Sequence, residues 1–170
     1  MRILGIDPGL QICGYACLEA DGDENSLIEA GVVKTEADAA IEWRLNSIAE
    51  DMKLLLERFR PEVVAVEQLY SHYAHPRTAI LMGHARGVIL QKCAESGVEV
   101  RSFSATRIKK SITGNGRASK EQVQRTVKAL LSLKEIPQPA DVADAMAAAL
   151  CCSNSRIINE STNEHELTRS

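Results

Sequence analysis

The chain has 170 residues, 45% hydrophobic and 25% charged, a balance that fits one soluble domain able to bury about 70% of its unfolded surface without disulfides. No apolar run approaches the ~18 residues of a membrane span. The opening Met1-Arg2-Ile3-Leu4-Gly5-Ile6-Asp7 turns acidic before the apolar stretch of an export signal forms, so the expectation is a cytoplasmic protein with no membrane association. The net charge of −3 conceals a division: residues 70–134 hold 12 of the 20 Lys and Arg against three acids, a balance of +9, and the rest holds 8 against 20, a balance of −12. A basic centre in an acidic chain has the form of a phosphate-binding surface, although a solvated face would also carry it. Five cysteines (Cys13, Cys17, Cys93, Cys151, Cys152) with no C-x-x-C pair are read as small core residues, not as disulfides or a zinc site.

In chain order, residues 3–6 form a short apolar run ended by Asp7-Pro8-Gly9, followed by runs at 15–18 and 27–34, which predict neighbouring strands joined by turns. Over 39–59 the residues Ile41, Leu45, Ile48, Met52, Leu55 and Phe59 recur every three or four, one stripe of an amphipathic helix that Pro61 stops. Val63-Val64-Ala65-Val66 predicts a strand buried on both faces. Residues 79–93 are helical in period, with Gly83, Ala85 and Gly87 leaving a face for a second helix and Ile80, Val88 and Leu90 supplying apolar area, the predicted homodimer contact. A strand at 98–103 and helices at 105–112, 120–133 and 140–152 complete an α/β sheet covered by helices. Residues 1–154 are read as the single domain and the polar stretch 155–170 as a frayed tail.

Four acids stand out. Asp7 and Glu67 each end an apolar strand, where ligands of open α/β sheets bind, and Asp141 and Asp144 share one face of an otherwise alanine-rich helix. Each has an ordinary alternative as a turn residue, a solvated strand end or a helix-dipole acid. Together they form a costly pattern, because two carboxylates 4 Å apart repel by roughly 4 kcal/mol at an effective dielectric of 20. A converging set needs a proton or a cation. Oxygen-only donors favour Mg²⁺ or Mn²⁺, and two such ions ~3.5 to 4 Å apart clamp the attacking and leaving oxygens of a phosphodiester.

Five motifs occur in order: Gly5-Ile6-Asp7-Pro8-Gly9 with Gly14-Tyr15; Val66-Glu67-Gln68; Gly83-His84-Ala85-Arg86-Gly87; Gly114-Asn115-Gly116-Arg117-Ala118-Ser119-Lys120; and Asp141-Val142-Ala143-Asp144-Ala145. This series, from residue 3 to about 152, resembles the RuvC family of bacterial Holliday-junction resolvases. The resemblance implies an RNase H-like fold and a homodimer. It also implies Mg²⁺-dependent paired nicking of four-way junction DNA and association with the RuvA and RuvB branch-migration proteins. It carries the family's catalytic, metal-holding acids onto Asp7, Glu67, Asp141 and Asp144, and its scissile-phosphate lysines onto Lys109 and Lys120. The family's junction-inserting aromatic falls on Tyr70, a tyrosine where phenylalanine is more usual.

From the residues themselves, Tyr70 or Tyr73 either caps the core or stacks on an unpaired base, worth ~1 to 3 kcal/mol. Residues 72–77 match the family poorly, so His72, His75 and Arg77 carry no assigned role. Arg107, Lys109 and Lys110 on a short helix, with Arg117 and Lys120 near a glycine-rich loop, are candidate DNA contacts, and Ser119 is a candidate helix cap. The competing readings are the shorter RuvX/YqgF nucleases, which the Asp-x-x-Asp helix fits less well; an actin-like or sugar-kinase-type ATPase, for which 170 residues leave no second lobe; and a non-catalytic junction scaffold, which has no use for four acids.

Overall fold

Ile3, Leu4 and Ile6 are fully buried because the strand that carries them, β1 (Arg2–Asp7), has a helical layer on each side. The computed structural model describes residues 1–69 and 76–167. β1 pairs antiparallel with β2 (Ile12–Asp21), which pairs antiparallel with β3 (Glu24–Lys34). On its other side β1 pairs in parallel with β4 (Val63–Glu67), and β4 with β5 (Glu99–Phe103). The sheet order is β3-β2-β1-β4-β5.

The period of two along each strand divides the core. Leu4, Ile6, Val64 and Val66 face α1 (Ile41–Phe59) and α2 (Pro76–Glu95) and pack with Ile48, Met52, Phe59, Ala85, Ile89 and Cys93. Ile3, Val63 and Ala65 face α3 (Ala105–Thr113), α4 (Lys120–Leu130) and α5 (Ala140–Leu167) and pack with Ile108, Ile112, Val123, Val127 and the alanines of α5. This is the mixed sheet covered by helices that the alternation of runs predicts. All five cysteines are buried and free. Among the described residues no helix is long and apolar enough to cross a membrane.

Four elements depart most from the periodicity. β2 and β3 begin earlier and run longer than their apolar runs, because a turn at Gly22-Asp23 pairs Asp21 with Glu24 and the polar ends zip by backbone pairing. α4 stops at Leu130, short of residue 133. α5 continues to Leu167, well past Cys152 where its apolar face ends. No glycine or proline interrupts residues 140–167, so the buried first half propagates into the polar second half.

The predicted small face of α2 needs correction. Ala85 is wholly buried with Ile89 and Cys93 against the sheet, because residues four apart share one face. The outward stripe of α2 is Ile80, 59% exposed, with Gly83, His84 and Gly87.

Candidate active site

The acids are brought together by register and by two glycines. β1 and β4 align Ile6 with Val66, so the next residues, Asp7 and Glu67, emerge together at the carboxyl edge of the sheet. Each lies two residues beyond a position facing α5, Gly5 and Ala65 respectively. α5 then crosses the strands with no space between backbones. A Cβ on Gly5 would stand 2.1 Å from the Ala145 carbonyl oxygen, and one on Gly14, the cross-strand partner of Asp7, would stand 2.0 Å from that of Asp141. Only hydrogen fits at these two positions, and that close approach sets Asp141 and Asp144 over Asp7.

The electrostatics reflect the crowding. Burial pushes the Asp7 carboxyl up to about 8, and the charges of Asp144, Glu67 and Asp141 add to it while Lys120 opposes it. Glu67 is raised by burial and by Asp144, against the pull of Lys109 and Lys120. Asp144 is raised by burial; Lys120 opposes this, Asp141 adds to it, and Lys109 also opposes. Lys120 Nζ lies 3.9 Å from Asp144 Oδ2, with the lysine three-quarters exposed. The acids influence one another without touching: among the described residues, no three His, Cys, Asp or Glu side chains are close enough to grip an ion unaided.

Two cavities open on either side of Asp7. One, about 280 Å³, holds Asp7, Glu67, Asp144, Lys109 and Lys120 above an apolar floor of Ile108, Val123 and Ala147. The other, about 450 Å³, holds Asp7, Asp141, Gly9, Gln11, Arg44 and Thr78. Lys110 and Arg117 are exposed. Arg107 is engaged within the chain, its guanidinium 5.1 Å from the Phe103 ring centroid and 3.3 Å from Ser155 Oγ. Ser119 caps α4, its hydroxyl accepting from Gln122 N–H at 3.2 Å while Gln122 Oε1 accepts from Ser119 N–H at 2.8 Å, a reciprocal capping box. Gly114 ends α3 in the left-handed conformation, φ 76°, a structural reason for that glycine. Tyr70, His72, Tyr73 and His75 lie outside the described residues, and Arg77 is exposed near the start of α2.

Sequence reasoning passed over two arginines. Arg86 Nε donates to the Glu67 carbonyl oxygen at 3.3 Å and its Nη2 to Ser102 Oγ at 2.8 Å, tying α2 to the ends of β4 and β5. The motif containing Arg86 was visible, but nothing in it says that the side chain reaches an acid's backbone. Arg44 Nε donates to Thr35 Oγ1 at 3.0 Å, and that hydroxyl donates to the Leu10 carbonyl at 2.6 Å, in the loop after Asp7. On an amphipathic helix a lone arginine gives no signal of this.

Comparison with known proteins agrees over the same span. The family described as "Crossover junction endodeoxyribonuclease RuvC" matches residues 3–152. A protein of that name from Rhodopirellula baltica is 50% identical over 149 residues, 88% of this chain and 84% of the relative. Another from Heliobacterium modesticaldum is 44% identical, covering 91% and 95%. The solved structure of Thermus thermophilus RuvC in complex with a Holliday junction substrate superposes with a TM-score of 0.88 at 34% identity, covering 94% of this chain and 96% of that one. The yeast mitochondrial resolvase Ydc2, at 12% identity and a TM-score of 0.65, shares the fold. With the expected RNase H-like sheet in place and relatives matched over nearly its whole length, the chain belongs to the RuvC family of crossover junction endodeoxyribonucleases.

Proposed function

We propose that the enzyme resolves four-way (Holliday) DNA junctions in recombination and repair by paired symmetric nicks, as a cytoplasmic homodimer whose Asp7, Glu67, Asp141 and Asp144 hold two Mg²⁺ ions. The observation that carries this reading is Asp7: half-buried at the end of β1, within electrostatic reach of Asp144, Glu67 and Asp141, and with its carboxyl pushed up to about 8. That arrangement is unfavourable until positive charge arrives.

The donor set fits a hard divalent ion. It is all oxygen, and because the acids do not close a cage by themselves, phosphate oxygens of the substrate would complete it, a habit of magnesium sites that Mn²⁺ also tolerates. When bound, the ions supply Lewis acidity and charge neutralisation at the phosphodiester. The chain's residues do the remaining work. The apolar floor keeps the acids partly dehydrated, which strengthens their hold on positive charge. Lys120, drawn loosely toward Asp144, and Lys109 in the same cavity offset the charge that develops on the phosphoryl oxygens. Arg107, Lys110 and Arg117 contact the DNA arms, and Tyr70 stacks at the crossover.

The outward stripe of α2 supports the dimer. Ile80 is exposed and a Cβ on Gly87 would meet nothing within 4 Å, so a second α2 can approach closely there. Two sites on one junction then nick in pairs. Association with RuvA and RuvB rests on family membership. In this reading residues 1–154 are the RNase H-like nuclease domain and 155–170 a polar C-terminal tail.

Cutting of a synthetic four-way junction tests the reading. Wild-type protein should cut in Mg²⁺ and not in chelator, and Asp7→Asn, Glu67→Gln, Asp141→Asn and Asp144→Asn should each abolish cutting while leaving junction binding nearly intact. A variant that cuts normally removes its residue from the site. A wild-type protein inert in Mg²⁺ overturns the reading.

A further inference from the structure

The second cavity at Asp7, which Asp141 also lines, contains a cation, Arg44, that the chemistry described so far does not use. Arg44 is half-buried at the start of α1. Among the described residues no carboxylate lies within 4.0 Å of its guanidinium. Three other arginines, Arg2, Arg58 and Arg101, are ion-paired with Glu19, Glu29 and Glu99, whereas Arg86, like Arg44, is held by neutral oxygens. Arg44 is instead aimed by neutral oxygens. Nε is held by Thr35 Oγ1, Nη1 reaches the Ala37 carbonyl at 3.5 Å, and Nη2 has no hydrogen-bond partner among the described residues. Thr35 is itself fixed to the loop after Asp7 through the Leu10 carbonyl and, by its own N–H, through that of Gln11 at 3.1 Å. The guanidinium is therefore oriented from behind and has donors to spare in front.

Asp7 lines both cavities, and Asp141 lines the one with Arg44. A strand whose scissile phosphate sits at Asp7 must continue in both directions. Lys109 and Lys120 occupy the cavity on one side, whereas on the other the acids Asp7 and Asp141 would repel the next phosphate unless a cation faces them. A partly desolvated guanidinium with free N–H groups suits that task, since its fork matches phosphate oxygens and holds its charge at any working pH.

From this we infer that the Arg44 cavity is a second phosphate subsite, gripping the strand one nucleotide away from the scissile bond, on the side opposite Lys120. The inference rests on the reading of the enzyme as a junction nuclease and adds a binding residue to it. Arg44 takes no part in bond breaking; it fixes where the strand crosses the acids.

The test uses the full chain and a four-way junction with one neutral methylphosphonate at either phosphate flanking the mapped cut. The only tryptophan, Trp43, is 67% exposed and adjoins Arg44, so its fluorescence reports binding in the non-cutting Asp7→Asn background. At one flanking position the neutral group should weaken binding about tenfold, the scale of a charge-assisted hydrogen bond. Arg44→Gln should weaken binding of the unmodified junction by a similar factor and make it insensitive to the methylphosphonate, and Arg44→Lys should restore part of both. If neither neutral phosphate affects binding, the inference fails whatever the variants do, and if the two losses multiply independently, Arg44 only braces the loop. A wild-type protein that does not cut the unmodified junction overturns the nuclease reading and this inference with it. Normal cutting without coupling overturns this inference alone.

Discussion

α5 and α1 lie on opposite faces of the same strands and touch them in different ways. Under α1 the contact is made by bulky side chains, Ile48, Met52, Leu55, Leu56 and Phe59, which meet the sheet through many small dispersion contacts and can shift rotamers to absorb a change. Under α5 the contact is made by Ala145, Ala148 and Ala149 above Gly5 and Gly14, with carbonyl oxygens where a Cβ would be. Nothing there can give. The acids Asp141 and Asp144 are carried by the unyielding layer, so placement of charge is set by backbone contact and bulk burial by the other side.

The comparison is broken most severely by adding volume under α5. Gly14→Val should cost at least ~3 kcal/mol of stability by overpacking and, by displacing Asp141, reduce cutting about a hundredfold or more. Ile89→Val in the α1–α2 layer should cost only ~0.5 to 1.5 kcal/mol and leave cutting near normal. Denaturation curves and cutting rates measured side by side check both; equal effects would dissolve the distinction.

Asp7→Asn should abolish cutting yet stabilise the metal-free protein. The carboxyl is raised from its ordinary range to about 8 in the folded chain. Below pH ~4 it is protonated folded or unfolded and costs nothing. As pH rises toward 8 the unfolded chain releases its proton freely and the folded one does not, so stability falls through that window. The substitution should remove that fall and add on the order of 5 kcal/mol at pH 8, readable by urea denaturation in chelator. A wild-type stability flat from pH 4 to 8 contradicts the placement.

Smaller effects sharpen the account. Arg86→Gln should lower kcat about tenfold while leaving junction affinity unchanged, because Arg86 holds the Glu67 carbonyl and so positions the acid without touching DNA. Arg86→Lys should recover part of the loss; equal losses in kcat and affinity would make Arg86 a DNA contact. Lys109→Ala should flatten the salt dependence of binding by about 0.9 in log–log slope, one phosphate contact. An unchanged slope removes Lys109 from the DNA.

Much of this was legible in the residues. Strand ends bearing Asp7 and Glu67, and the three-residue spacing of Asp141 and Asp144, specify a shared edge and a shared face, and the unbroken apolar run Val63 to Val66 specifies a strand buried on both sides. What was hidden depends on partners far along the chain. Gly5 and Gly14 look like turn or strand glycines until α5 is laid across them. Ala85 looks like part of an outward small face until Ile89 and Cys93 show which way α2 is turned. Arg44 and Arg86 look like ordinary polar positions on helices, since periodicity tells which face is polar but not which loop or strand end that face meets. β3 begins at Glu24, and not at its apolar residues, because an edge strand is held by backbone pairing that side-chain pattern does not record.

If the acids form a mutually repelling, partly desolvated set poised for a cation, as proposed, the carboxyl titration of Asp7 will show it. Followed by carbon NMR of aspartate-labelled protein and assigned by Asp7→Asn, the metal-free midpoint should lie near 8, and saturating Mg²⁺ should drive it down by neutralising its neighbours. A metal-free midpoint near the ordinary ~4 of an exposed aspartate, unmoved by Mg²⁺, would contradict the account.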